Sequence, residues 1–139
     1  MYNKIVLATD GSEHSIRAAE QAARIATCGA DSVVHVVYVV DQDTSKTEVL
    51  HNWNNVDLSE KRKEKIKPIE MKMKESQVAY EVKILHGEPG PTIVKYSNDN
   101  KFDLVVIGSR GLNVLQEFVL GSVSHKVAKQ VNCPVLIVK

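Results

Sequence analysis

Aliphatic runs and amphipathic stretches alternate along this chain. Ile5-Val6-Leu7, Val33-Val34-His35-Val36-Val37 and Leu104-Val105-Val106-Ile107 are nearly unbroken apolar runs. A strand with one wet face alternates apolar and polar residues, whereas an unbroken run suits a strand covered on both faces, as in a parallel sheet flanked by helices. The pattern predicts strands at Lys4–Thr9, Ser32–Val40, Tyr80–His86, Asp103–Gly108 and Pro134–Val138. The third alternates, with Lys83 between Val82 and Ile84, which marks a half-exposed edge.

Helix signals lie between these runs. Over Glu13–Cys28, Ile16, Ala19, Ala23 and Ala26 fall at helical spacing, with Ser12 as N-cap and Gly29 as the stop. The second helix is expected to start at Asp57 or Leu58, where Asp57-x-x-Glu60 resembles a capping box, with Leu58, Ile66, Ile69 and Met73 on its apolar face. Pro68 should kink or split it near Lys67, because proline lacks the N–H and clashes with the preceding turn. The third should open at Pro91 and the fourth near Ser122, running through Val123, Val127 and Val131 until Pro134. Five strands alternating with four helices define an α/β class, a sandwich built on a parallel sheet. The polar segment Asp41–Val56, with isolated Val49, Leu50 and Trp53, reads as a long excursion within that pattern.

Composition narrows the possibilities. At 139 residues and 43% hydrophobic, the chain fits one domain with a real core. Its 18 basic residues against 17 acidic argue against a nucleic-acid partner, which normally needs a basic excess. Seven aromatic residues leave an aliphatic core and no stacking platform for single strands. No run approaches a membrane span or a signal-peptide core, and Cys28 and Cys133 have no CxxC spacing, so a soluble cytoplasmic protein with reduced thiols is expected.

Candidate chemistry sits at two strand exits. In an open parallel sheet, ligands bind beyond the carboxyl ends of the strands where the winding reverses. The first strand leaves through Thr9-Asp10-Gly11-Ser12, and the fourth through Gly108-Ser109-Arg110-Gly111, followed after nine residues by Gly121-Ser122-Val123-Ser124 at a helix start. Glycines allow positive φ and close backbone approach, while a helix start supplies N–H groups and a favourable dipole. Together these residues suggest a polyphosphate cradle. They form neither a Walker A loop nor the GxGxxG fingerprint.

The spacing Gly108-x2-Gly111-x9-Gly121-Ser122 resembles the ATP-binding branch of the universal stress protein family. The resemblance extends over Ile5–Ser12, Val37-Tyr38-Val39-Val40, Gly87-Glu88-Pro89, Asp103–Ser109 and Cys133–Val138, essentially the whole chain. It implies a single-domain three-layer α/β/α sandwich, Rossmann-like, with sheet order 3-2-1-4-5. It further implies Ala8, Thr9 and Asp10 along a nucleoside, the Val39 backbone at the adenine edge and Ile107 near the base or sugar. Gly108, Arg110, Gly111, Gly121, Ser122, Val123 and Ser124 would surround the phosphates of ATP, which Mg²⁺ or Mn²⁺ accompanies without a dedicated side-chain site. A homodimer through the Pro134–Val138 strand and a role in the stress response are implied as well. Pro68 and the Asp41–Val56 excursion depart from the family pattern.

The residues themselves leave other readings open. Gly108 and Gly111 could form a plain turn, Asp10 could cap the first helix or a turn, Ser122 could be an N-cap and Arg110 a solvated charge. His14, His35, His51, His86 and His125 are too scattered for zinc, and His35 reads as a satisfied core residue. No serine has an evident histidine partner, and the mixed charges of Lys61–Glu75 read as a solvated helix face. Three functions follow: an ATP-binding stress-response regulator or sensor with little or no hydrolysis, a dimeric interaction protein that binds no nucleotide, or a slow ATPase.

Overall fold

The unbroken apolar runs become strands covered on both faces. The computed structural model describes residues 2–40, 55–109 and 121–139. In chain order these form β1 (Lys4–Thr9), α1 (Glu13–Thr27), β2 (Val33–Val40), α2 (Asn55–Glu75), β3 (Ala79–His86), α3 (Pro89–Asp99), β4 (Leu104–Gly108), α4 (Ser122–Gln130) and β5 (Val135–Val138). All strand pairs are parallel and the sheet order is β3-β2-β1-β4-β5, as the family resemblance implies.

Side chains leave successive strand residues on opposite faces, so each central strand feeds two cores. Ile5, Leu7, Val34, Val36, Leu104 and Val106 pack under α1 and α2 with Ala18, Ala22, Ile66, Ile69 and Met73. Val6, Ala8, Val37, Val105 and Ile107 pack under α3 and α4 with Ile93, Phe102 and Val127. The result is the three-layer α/β/α sandwich. β3 is the half-exposed edge its alternation predicts, with Val82 and Ile84 36% and 38% exposed. Cys28 and Cys133 are both free thiols.

Three helix expectations require correction. The second helix is already present at Asn55, ahead of Asp57 and Leu58, so the Asp57-x-x-Glu60 pair lies inside the helix. Pro68 does not split that helix, which runs on to Glu75. A helix-interior proline costs about 3 kcal/mol. On either side of it Ile66, Ile69 and Met73 are buried against the sheet, each stabilising by roughly 1.5–3 kcal/mol. Their burial outweighs the proline. The third helix opens at Pro89 rather than Pro91, with Glu88 as N-cap and the Thr92 N–H donating to the Glu88 carbonyl at 3.0 Å. Both prolines therefore fall in the first turn, where an N–H has no intrahelical partner to lose. Of the Asp41–Val56 excursion, residues 41–54, with Val49, Leu50 and Trp53, lie outside the described residues, as does the side chain of Leu58.

The amino ends of the central strands are fastened by Asp103. Its Oδ2 accepts from the N–H groups of Asn3 and Lys4 at 3.1 and 2.9 Å, and its own N–H donates to the Lys4 carbonyl at 2.9 Å. Close by, His35 departs from the expectation of a satisfied core residue. Its Nδ1 is buried without a hydrogen-bond partner among the described residues, facing Glu81 Oε2 at 3.6 Å across the β2–β3 pair. Its ring stands nearly perpendicular to that of Phe102, with ring centres 4.8 Å apart. Burial holds His35 below its ordinary pKa of 6.5; Glu81 pulls the other way, and Lys4 and Lys83 reinforce the lowering.

A depressed folded-state pKa means the unfolded chain binds the proton more readily. The neutral histidine's contribution is complete above pH 6.5 and is lost as pH falls through the folded-state value. In urea unfolding at pH 7.5 and pH 5 (on the order of one unit or more either side), His35→Gln should narrow the stability difference between the two pH values. An unaltered difference would mean that other groups carry the acid sensitivity.

Candidate functional site

The sheet winds outward from its centre in two directions. From β1 the chain moves to β2 and β3 on one side, while β4 and β5 lie on the other. The carboxyl ends of β1 and β4 therefore border the crevice where such folds bind ligands.

The turn after β1 is held by its own side chains. Gly11 adopts φ +82, a left-handed conformation that favours glycine, and its N–H donates to Thr9 Oγ1 at 3.2 Å. Asp10 Oδ1 accepts from the Ser12 N–H at 2.9 Å and from Ser15 Oγ at 2.6 Å, while the Asp10 N–H donates to Ser15 Oγ at 3.0 Å. The helix cap belongs to Ser12, whose hydroxyl accepts from the Ser15 N–H at 3.4 Å. Asp10 thus closes the turn ahead of α1 and is not the helix N-cap. Lys65 of α2 reaches across, its stem beside Gly11 and its Nζ 3.5 Å from the Tyr38 hydroxyl at the end of β2.

The exit of β4 is anchored from both helical layers. A Cβ on Gly108 would lie 2.9 Å from His14 Cβ and 3.2 Å from the His14 carbonyl, so glycine here admits the first turn of α1. The Gly108 carbonyl accepts from Ser124 Oγ at 2.5 Å, which fixes the start of α4. The Ser109 N–H donates to the Val138 carbonyl at 2.7 Å, and the Gly121 N–H donates to the Ser109 carbonyl at 2.9 Å. The start of α4 consequently stands directly beside the end of β4.

That helix start leaves backbone donors ahead of its first intrahelical bond. Its N-cap is Gly121, with φ −58 and ψ 153 and no side chain to cap the helix. The first intrahelical bond runs from the His125 N–H to the Gly121 carbonyl at 2.9 Å, so the N–H groups of Ser122, Val123 and Ser124 precede the ladder. Ser122 is exposed, Val123 half-buried and Ser124 buried. Because the Ser124 hydroxyl gives its proton to Gly108, its backbone N–H is what it can present to a ligand. Ser122 keeps an exposed hydroxyl.

The structure brings most of the sequence-derived residues to this edge. Ala8 pairs with Ile107 across β1 and β4, and both are buried in the α3/α4 layer where half-buried Val39 also packs. Thr9 and Asp10 lead out of β1 beside them. Arg110 and Gly111 lie outside the described residues. Positive φ explains Gly11, whereas Gly108 is required by a close approach and Gly121 by neither. Among the described residues no three His, Cys, Asp or Glu side chains gather as a metal site. Sequence reasoning missed Ser15, His14 and Lys65. Ser15 had a signal: a hydroxyl on the same buried stripe of α1 as Ala18, Ala19 and Ala22.

A parallel sheet wound in two directions from its centre, with a glycine-led helix start at its switch point, defines a doubly wound α/β protein. Comparison with known proteins narrows the class. The universal stress protein family model matches residues 1–139. Universal stress protein MJ0531 of Methanocaldococcus jannaschii is 36% identical over 142 residues, covering 100% of this chain and 83% of that relative. The solved structure of MJ0577 from the same organism superposes with a TM-score of 0.84 at 33% identity, over 100% of this chain and 96% of that one. The universal stress protein of Archaeoglobus fulgidus, solved in complex with dAMP, superposes at 0.75 with 25% identity, over 99% and 98%. This chain belongs to the universal stress protein family.

The tight approach at Gly108 carries a consequence for stability. Gly108→Ala should destabilise the fold by about 1–3 kcal/mol, the usual cost of overpacking, because the neighbouring atoms include backbone. Gly11→Ala should cost about 1–2 kcal/mol through its left-handed backbone. Urea midpoints measure both, and an unchanged midpoint for Gly108→Ala would show that α1 can recede without loss.

Proposed function

We propose that this protein binds ATP at the crevice between the ends of β1 and β4 and acts as a nucleotide-dependent regulator in a stress response. The observation that carries this reading is the glycine-capped start of α4, held at the β4 exit by the Ser124–Gly108 and Gly121–Ser109 hydrogen bonds. Three backbone N–H groups converge there with the helix dipole, which suits a polyphosphate without demanding a basic excess. The dAMP complex of the Archaeoglobus relative supports an adenine nucleotide as the ligand.

In this reading Ala8, Thr9, Asp10 and the Val39 backbone line the nucleoside, with Ile107 packed beneath. Gly108, Gly121, Ser122, Val123 and Ser124 meet the phosphates, and Arg110 and Gly111 of the same motif join them. Mg²⁺ or Mn²⁺ would accompany the triphosphate and neutralise part of its charge. Rapid hydrolysis is not expected: it needs a group to orient water, and Asp10 already uses one carboxylate oxygen to hold its own turn. The sheet edge at β5 suits pairing with a second copy, since Val135–Val138 are only half-buried beside β4 alone. A cytoplasmic homodimer completes the proposal.

One observation favours a second reading. His14 accounts for Gly108 without any ligand, so an interaction protein with a purely structural glycine loop has a physical basis. Thermal unfolding with ATP separates the two. A ligand at 100 times its Kd stabilises by about 2.7 kcal/mol, and such a shift is expected with or without Mg²⁺. Gly121→Val should abolish it while preserving the fold, because φ −58 and ψ 153 suit a branched residue and the new side chain would cover the helix start. The absence of a shift at millimolar ATP would favour the second reading.

A further inference from the structure

We propose that Ser15 is a positioning residue for the ligand site, setting the Asp10 carboxylate before a nucleoside arrives; this inference rests on the nucleotide reading above. Ser15 lies on the buried stripe of α1, 4% exposed, where alanines otherwise pack. Alanine would fill that position equally well, so packing alone does not call for a hydroxyl. A hydroxyl buried there must be paired: it lies 3.3 Å from the Ser12 hydroxyl, and its two shorter bonds both go to one residue. It donates to Asp10 Oδ1 at 2.6 Å and accepts from the Asp10 N–H at 3.0 Å. The first is a short, charge-assisted bond.

One hydroxyl thereby bridges the backbone and the carboxylate of Asp10. The Ser12 N–H, donating to the same Oδ1 at 2.9 Å, supplies a second fixed point. Capping of α1 does not account for the bridge, because Ser12 is the N-cap. The bridge instead freezes the Asp10 side chain in one orientation at the mouth of the crevice. Ordering a side chain costs binding free energy when it happens on association, and a carboxylate already ordered avoids that cost.

Titration calorimetry with ATP tests this on the full chain. Relative to wild type, Ser15→Ala should weaken ATP binding by about three- to tenfold, the equivalent of immobilising one side chain. Combined with Asp10→Ala, it should add no further loss beyond Asp10→Ala alone. Ser15→Thr, which keeps the hydroxyl, should bind within about twofold of wild type. Ser15→Cys, nearly isosteric but a poor donor, should weaken binding as alanine does, and it serves where the alanine variant does not fold. Wild-type affinity in both Ser15→Ala and Ser15→Cys would overturn the proposal. So would equal losses with and without the Asp10 carboxylate, or full affinity in Asp10→Ala, either of which leaves the phosphate cradle standing. If the wild type binds no ATP at all, the nucleotide reading falls and this inference falls with it.

Discussion

Burial of β1 and β4 on both faces is the constraint on which the rest of the structure depends. Ile5–Ala8 and Leu104–Ile107 are all buried, with neighbours on each side of the sheet. No polar side chain can be afforded in the middle of such strands, so polar groups collect where the strands end. Thr9, Ser12, Ser15, Ser109 and Ser124 are buried polar residues at the carboxyl ends of these two strands or the starts of α1 and α4. A dry interior and a polar rim are thus one design.

Parallel winding adds the second ingredient. Each helix that follows a strand begins at the sheet's carboxyl edge, so the positive ends of the helix dipoles face the same rim. α1 arrives on one face and α4 on the other, and Gly108 stands between them. His14 presses on it from α1 and Ser124 binds its carbonyl from α4. A single strand-end residue therefore sets the relative placement of two layers.

Much of this was legible in the residues. Unbroken runs such as Leu104-Val105-Val106-Ile107 announce two-sided burial, and the alternation at Val82-Lys83-Ile84 announces the exposed edge. Helix boundaries were less so. Pro89 and Pro91 both fit a first turn, and periodicity cannot choose between them; the choice is made by the hydrogen bond from Thr92 to Glu88. Pro68 misleads because local propensity is outweighed by the burial of Ile66, Ile69 and Met73. At the site, Gly108 and Gly121 were visible as a motif, but their separate physical reasons were not. Whether a glycine serves a close approach or a bare helix cap depends on tertiary neighbours such as His14. Ser15 was hidden for the same reason: its partner is fixed by the left-handed turn at Gly11, which spacing alone does not reveal.

The Asp103 clasp lies at the opposite end of the sheet from the crevice. Six residues of β1 separate the two ends, at about 3.3 Å per residue roughly 20 Å. Sites this far apart, with no shared partners, contribute additively. One end of the sheet can therefore drift in sequence, gaining or losing robustness to heat, while the other keeps its geometry.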